Sequence, residues 1–380
     1  MFDQRGIALI TAMLIAALVT AGAVALASSQ QLNTRRIANI LTVSRARYTL
    51  ETMELQARDS LRKDAEHGRF DATSEAWATE KLSASQIGVS SEGELVDLSG
   101  RFNLTNLVPD PEFAGGSAAE VPREANANPA APSTEAGAPT TPTASSTDAN
   151  APATPAVPCT DPNGCAAPTT AQTPGAQNAG VTLPPAEIAA QQLRRLFEIL
   201  QLDTQPIQAI QDWVDADTDT RFPNGAEDDY YTSLHPAYRA ANRPFASPRE
   251  LLLVKGVTVE MYQKLAPFIV CLPKTTPLNV NTASKELLMS LGPTVDASAA
   301  ETLLRTRETQ PFTDIGLFQN HPMMLARPLL QTNITVSSEY FEMRGHSHDD
   351  RLELQTRTLL ARQGPTTRVL GRWPMTVETP

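Results

Sequence analysis

Positive charge is in the minority in this 380-residue chain, where 31 Lys and Arg stand against 42 Asp and Glu for a formal net charge of -11. That balance opposes nonspecific nucleic-acid binding and supplies no polybasic membrane patch. Cysteine is scarce as well: Cys159, Cys165 and Cys271 are too few to frame a disulfide-built fold. Cys159 and Cys165 enclose a tight polar loop and are a disulfide candidate in an oxidising compartment, whereas Cys271 lies in an apolar run and reads as a buried thiol. No CxxC pair or histidine cluster accompanies them, which argues against zinc. Catalytic signatures are lacking too, since no nucleophile elbow and no Gly-rich phosphate loop occurs. His67, His235 and His321 are scattered, and His346 and His348 sit with Asp349 and Asp350 in an expected hairpin turn, as solvated residues. The chain is therefore not expected to be an enzyme.

What the chain does have is one long hydrophobic run. Residues 7–27, IALITAMLIAALVTAGAVALA, carry no charge, and at about 1.5 Å per helical residue they reach roughly 30 Å, enough to cross the hydrocarbon core of a bilayer. The run follows a short polar leader, MFDQRG. A removed signal peptide, cut after Ala25-Leu26-Ala27 to leave Ser28 first, is the rival reading. The run exceeds the usual signal core of about 7 to 15 residues, and Arg5 is offset by Asp3, so a retained anchor is favoured. Residues 28–67 contain no proline, and Leu41, Tyr48 and Leu55 recur at seven-residue spacing on one face. Anchor and extension together predict one helix of about 60 residues and about 90 Å.

Residues 94–108, ELVDLSGRFNLTNLV, alternate as a strand or hairpin around Gly100. From Pro109 to about Val181 the chain is Pro, Ala, Thr, Ser and Gly with almost no large apolar side chain. Such a segment has too little to bury to offset the entropy of ordering and is expected to be a flexible insert. Residues 184–330 then turn helical: Ile188, Leu193, Leu196, Phe197 and Leu200 mark one amphipathic segment, and Ile207, Ile210, Trp213 and Val214 the next.

Directly after comes the densest polar stretch, DWVDADTDTRFPNGAEDDYY. Asp215, Asp217 and Asp219 alternate, and Glu227, Asp228 and Asp229 follow across the turn Pro223-Asn224-Gly225. Carboxylates this dense repel one another unless cations neutralise them, and hard oxygen donors suit Ca2+. An EF-hand it is not, because Thr220 stands at the turn Gly position and Ala226 at that of the bidentate Glu. The plain alternative is a solvated acidic loop paired with Arg221 and Arg239.

Two further segments, FASPRELLLVKGVTVEMYQKLAPFI and LNVNTASKELLMSLG, have the pattern of helix-hairpin-helix modules, which often hold DNA phosphates. Few basic residues flank them, so they are expected to be packing units with Leu251, Leu252, Leu253, Val257, Leu265, Leu287, Leu288 and Leu291 as core. Asn279, Asn281 and Ser284 are expected to cap a helix starting near Ala283. Strands at residues 334–343, 352–361 and 367–373, with turns at 345–350 and 363–366, predict a closing three-stranded meander. Joined by the early strand at Leu95, it forms one antiparallel sheet.

Leader and span together resemble the type IV pilin signal, cut between Gly6 and Ile7 by a prepilin peptidase, with methylation of the new terminus. Thr11 stands where pilins usually carry Glu, the residue thought to meet the subunit ahead. With the acidic stretch, NRPFASPRELLLVKGV and PLNVNTAS, this resembles the minor pseudopilin GspK family of type II secretion systems over almost the whole chain. The resemblance implies an α+β, type IV pilin-like fold with a large inserted all-α domain. Its expected divisions are a leader (1–6), a transmembrane helix (7–27), the periplasmic half of the spine (28–67), head residues 68–108, the low-complexity insert (109–183), the helical domain (184–330) and the head's last strands (331–380).

It also implies a single-pass inner-membrane protein with a cytoplasmic N-terminus, placed at the pseudopilus tip to start filaments and help export folded proteins. Expected partners are other minor pseudopilins, the major pseudopilin, the assembly platform, prepilin peptidase and exported substrates, with no nucleic acid. The expected cofactor is Ca2+ on Asp215, Asp217, Asp219, Glu227 and Asp228, with Asp212 and Asp229 beside them. A competence-type DNA-binding pilin and a secreted periplasmic calcium-dependent enzyme stay open as other readings.

Overall fold

The computed structural model describes residues 4–109, 183–330, 333–349 and 352–375. Helix α1, Gln4–His67, is one uninterrupted element of 64 residues, so the expected spine is present and is about 96 Å long. From Leu9 onward it is long and apolar enough to cross a membrane, with a mean hydropathy of 2.4 over its most apolar window. Gly6 and Ile7 lie in its first turns. Cys159 and Cys165 lie outside the described residues, and Cys271 carries a free thiol whose ionisation burial pushes up to about 12.

The face of α1 that carries Leu41, Tyr48 and Leu55 is not the one packed on the head. Leu41, Tyr48 and Leu55 are exposed at 47, 59 and 62 %, whereas Ala46, Leu50, Met53, Ala57 and Leu61 are buried. Leu50, Met53, Ala57 and Leu61 follow helical spacing and lie on the head sheet with Trp77, Leu95, Phe341, Met343 and Leu360. After α2, Ala76–Thr79, the sheet begins with β1, Leu82–Gln86, and β2, Val89–Asp97. These two form the early hairpin, whose turn is at Ile87-Gly88 and not at Gly100.

The C-terminal strands β7, Tyr340–Asp349, β8, Leu352–Gln363, and β9, Thr366–Met375, complete a five-stranded antiparallel sheet ordered β1-β2-β7-β8-β9. The meander is therefore as expected, but Gly345–Asp349 continues a strand. His346 and His348 stand on β7, not in a turn; His346 Nε2 lies 2.9 Å from Glu353 Oε1 and His348 Nε2 3.1 Å from Ser90 Oγ. Gly345 faces Gly93 across β2 and β7. A Cβ at either would overlap Leu50 or Met53, so the paired glycines let the spine lie close on the sheet.

Everything between β2 and β7 is the insertion. It holds β3, Phe102–Asn103, a 3-10 turn at Leu104–Leu107, α3, Pro185–Ile199, α4, Pro206–Val214, and α5, Asp228–Thr232. A 3-10 segment, Pro248–Leu253, leads to α6, Val259–Leu265, β4, Ile269–Val270, and β5, Leu278–Asn279. Then follow α7, Lys285–Ser290, α8, Ala297–Thr309, α9, Ile315–Gln319, and β6, Ile334–Thr335. Leu193, Leu196, Phe197, Ile207, Ile210, Trp213, Leu251, Leu265, Leu287, Leu288 and Leu291 share one core. Leu252 and Leu253 do not join it: the segment before the Lys255-Gly256 turn winds as 3-10, and both side chains reach solvent, with Val257 half-buried. Ser284 caps α7 by accepting from Leu287 N, as expected.

Asn279 and Asn281 are not caps but buried cross-links, Asn281 within the helical part and Asn279 between it and the head. Asn281 exchanges two hydrogen bonds with Phe312, and Asn279 Nδ2 donates to Asp71 O at 3.0 Å and Ser338 Oγ at 2.8 Å. Beside them Asp97 accepts from Ser99 N, Ser338 Oγ and Thr282 Oγ1. Burial nevertheless raises its pKa to about 6, with Asp71 adding repulsion. A carboxyl raised in the folded state stabilises the fold below its ordinary pKa near 3.8, and that contribution is lost as pH rises to 6. Asp97→Asn is expected to flatten the dependence of unfolding free energy on pH between 4 and 6 by on the order of 2 kcal/mol. Urea titrations at several pH values check this, and an unchanged slope contradicts it.

Candidate metal centre

The acidic loop is held between α4 and α5. Asp212 leaves the last turn of α4 and organises the loop: its Oδ2 accepts from Arg221 N at 3.1 Å and Ala226 N at 2.8 Å, and its Oδ1 from Arg221 Nη1 at 3.0 Å. Gln208, one turn earlier, donates to Phe222 O and accepts from Asn224 N. Gly225 sits where the loop comes closest, since a Cβ there would overlap Asp212 Oδ2 and the Arg221 backbone. Trp213, Tyr231 and Tyr238 form the floor, with Trp213 edge-on to Tyr231 at 5.1 Å. Lys255, from the hairpin turn, donates to Gly225 O at 3.0 Å and lies 4.9 Å above the Tyr230 ring. Its ammonium is thus turned toward the acidic loop.

Among the described residues, Asp215, Asp217 and Glu227 each bring a carboxylate oxygen within 4.8 Å of one another. Asp215 and Glu227 are 1 and 4 % exposed, yet Asp215 Oδ1 and both Glu227 oxygens have no hydrogen-bond partner. Leaving an ionised group buried and unpaired is costly. Burial first, then Asp215, Asp212, Asp217 and Asp228, push Glu227 up to about 7. Burial likewise raises Asp215 to about 6, with the Arg221 guanidinium pulling it back. A cation among these oxygens removes both causes, and an all-oxygen donor set fits a hard ion such as calcium. The expected residues therefore divide. Asp215, Asp217 and Glu227 converge; Asp219 is exposed and donates its N–H to Asp217 Oδ1. Asp228 accepts from Ala240 N and pairs with Arg239, and Asp229 is exposed.

Sequence reading missed Asn242. Its backbone is in the left-handed region at φ 44°, its N–H donates to Trp213 O, its Nδ2 to Asp217 O at 3.3 Å, and its Oδ1 is buried without a partner. It opens the NRPFASPRE stretch, 15 residues beyond Glu227, and only the fold returns it to the loop. Arg221, read as a surface partner, is instead placed against two buried carboxylates.

Residues 170–274 and 278–337 match two family models, each described as Type II secretion system (T2SS), protein K. The chain is 29 % identical to the type II secretion system protein K of Pseudomonas aeruginosa over 97 % of its own length and 92 % of that protein's. The chain belongs to the type II secretion system protein K family. The protein K of Klebsiella pneumoniae is 32 % identical over 48 % of this chain and 59 % of that one. The protein K of Aeromonas hydrophila is 36 % identical over 39 % and 46 %. A chain in the crystal structure of the GspK-GspI-GspJ complex from enterotoxigenic Escherichia coli superposes with a TM-score of 0.63 and 19 % identity, over 90 % of this chain and 99 % of that one. That likeness establishes the α+β pilin-like fold with an inserted helical domain. Protein K membership makes the chain a minor pseudopilin, a structural component of the secretion machine.

Proposed function

We propose that this minor pseudopilin sits at the tip of the pseudopilus, starts filament assembly and helps move folded proteins across the outer membrane. One observation carries the reading: past its membrane-length segment α1 leaves Leu32, Ile37, Ile40, Leu41, Tyr48 and Leu55 exposed, in a chain whose head is widened by the inserted domain. Apolar side chains spaced along one helix suit packing against neighbouring spine helices, while a head of this width obstructs stacking on its far side. Thr11, exposed on the apolar stretch, adds no charge where an internal pilin subunit carries one.

The solved complex pairs a related chain with GspI and GspJ, and counterparts of those two minor pseudopilins are the first partners proposed here. The major pseudopilin, the assembly platform and exported substrates follow from the same role. The N-terminus lies in the cytoplasm and the bulk in the periplasm. Asp215, Asp217 and Glu227, with Asn242, hold Ca2+, which supplies charge neutralisation and fixes the loop between α4 and α5. Lys255 turned inward and the net acidic charge favour this reading over a DNA-binding pilin.

The test is an epitope in the helical domain, imaged on pili from cells overproducing the major pseudopilin. Label at one end is expected; label along the filament overturns the tip assignment. Prepilin peptidase is expected to cut between Gly6 and Ile7, so the mature protein starts at methylated Ile7. Gly6→Ala is expected to abolish that cut, as read from the N-terminal mass, whereas a start at Ser28 contradicts it.

A further inference from the structure

Resting on the calcium reading above, the residues around the loop say how it folds before an ion arrives. Asp212, Asp215, Asp217 and Glu227 crowd one region, with Glu187 of α3 at its edge. Unneutralised, such a set resists being buried. Among the described residues one guanidinium reaches several of them. Arg221 Nη1 pairs with Asp212 Oδ1 at 3.0 Å and with Asp215 Oδ2, and Nη2 lies 3.9 Å from Glu187 Oε1. Its own backbone N–H is bound to Asp212 Oδ2, so the cation is anchored at both ends of the residue.

We propose that Arg221 is the resident counter-ion of this loop, folding it in the absence of metal and remaining in place when the ion binds. The division of Asp215 carries the second half of the statement. Arg221 uses Oδ2 and leaves Oδ1 free, and neither oxygen of Glu227 is engaged. A bridging carboxylate serves a guanidinium on one side and a metal on the other without exchange of one cation for the other. The planar guanidinium matters for reach: Nη1 serves Asp212 and Asp215 while Nη2 faces Glu187, a span that a compact ammonium on a flexible stem does not hold in place.

The experiment compares thermal unfolding of full-length wild type, Arg221→Gln and Arg221→Lys in detergent, each in EDTA and in excess calcium. In EDTA, Arg221→Gln is expected to melt roughly 5 °C or more below wild type. Calcium is expected to recover most of that gap, with Arg221→Lys falling between. An Arg221→Gln chain that melts with wild type in EDTA overturns the proposal. So does one that loses the same amount with and without calcium, because that marks a purely structural arginine. A wild type indifferent to calcium sinks the metal reading instead, and the EDTA comparison still decides what Arg221 does.

Discussion

Glu227→Gln is expected to change stability in opposite directions with and without calcium. With calcium at one hundred times its dissociation constant, binding to the folded state alone adds about 2.7 kcal/mol to the unfolding free energy of wild type. Replacing a carboxylate that supplies two unpartnered buried oxygens is expected to remove most of that gain. In EDTA the sign reverses. Glu227 makes no side-chain hydrogen bond that the amide would lose, and it is buried beside Asp212, Asp215 and Asp217. Removing its charge relieves desolvation and repulsion together, so the metal-free variant is expected to equal or exceed wild type in stability. Thermal unfolding at pH 8 checks both arms, and a variant weakened equally in EDTA and in calcium contradicts the site. Asp215→Asn is expected to lose the calcium response too, but without the gain in EDTA, because Asp215 also pairs with Arg221.

The larger purely structural effect is expected at Arg362. This β8 residue is 8 % exposed and is the hub of a buried ion cluster at the foot of the spine. Nη1 meets Asp64 Oδ2 at 2.7 Å, Nη2 meets Asp71 Oδ1 at 2.6 Å and donates to Ser338 O at 2.9 Å, and the guanidinium lies 4.8 Å over the Phe341 ring. Asp64 is already pushed up to about 6, by burial and then by Glu75. Arg362→Met keeps the stem volume but leaves buried Asp71 and partly buried Asp64 without their counter-charge, an expected loss of about 3 kcal/mol. Arg372→Met is the milder comparison: Arg372 is 58 % accessible, and its buried partner Glu54 keeps Arg58 at 3.7 Å, so a smaller loss is expected. Adding Asp71→Asn to Arg362→Met is expected to recover part of the loss. Urea unfolding measures all three, and a cost for Arg362→Met no greater than that of Arg372→Met contradicts the buried-cluster argument.

Much of the architecture was legible because it is written in local patterns. An uncharged run continued by a proline-free segment dictates one long helix. The alternation of the last strands was equally plain, as was the conclusion that the helical part interrupts a sheet. Errors fell where a residue's local meaning is changed by a distant neighbour. Gly345 reads as a turn residue, yet it is mid-strand because Leu50 and Met53 press on it and on Gly93. Leu41, Tyr48 and Leu55 stand out as a regular stripe, yet which face of the helix meets the sheet is shown only by the buried Leu50, Met53 and Leu61. Asn279 and Asn281 have the composition of caps and serve as buried cross-links.

The same division runs through the candidate centre. The sequence by itself determined that carboxylates are dense here and that their donors are hard oxygens, which makes a hard cation the expectation, because charge density and donor type are properties of composition. Which oxygens remain free was decided by the tertiary structure alone. Asp212 is occupied by Arg221 and Ala226 and Asp228 by Ala240 and Arg239, while Asp215, Glu227 and Asn242 are left with buried, unpartnered oxygens. Whether a carboxylate is satisfied depends on donors brought from elsewhere in the chain, and burial sets the cost of leaving it unsatisfied; neither is a local property.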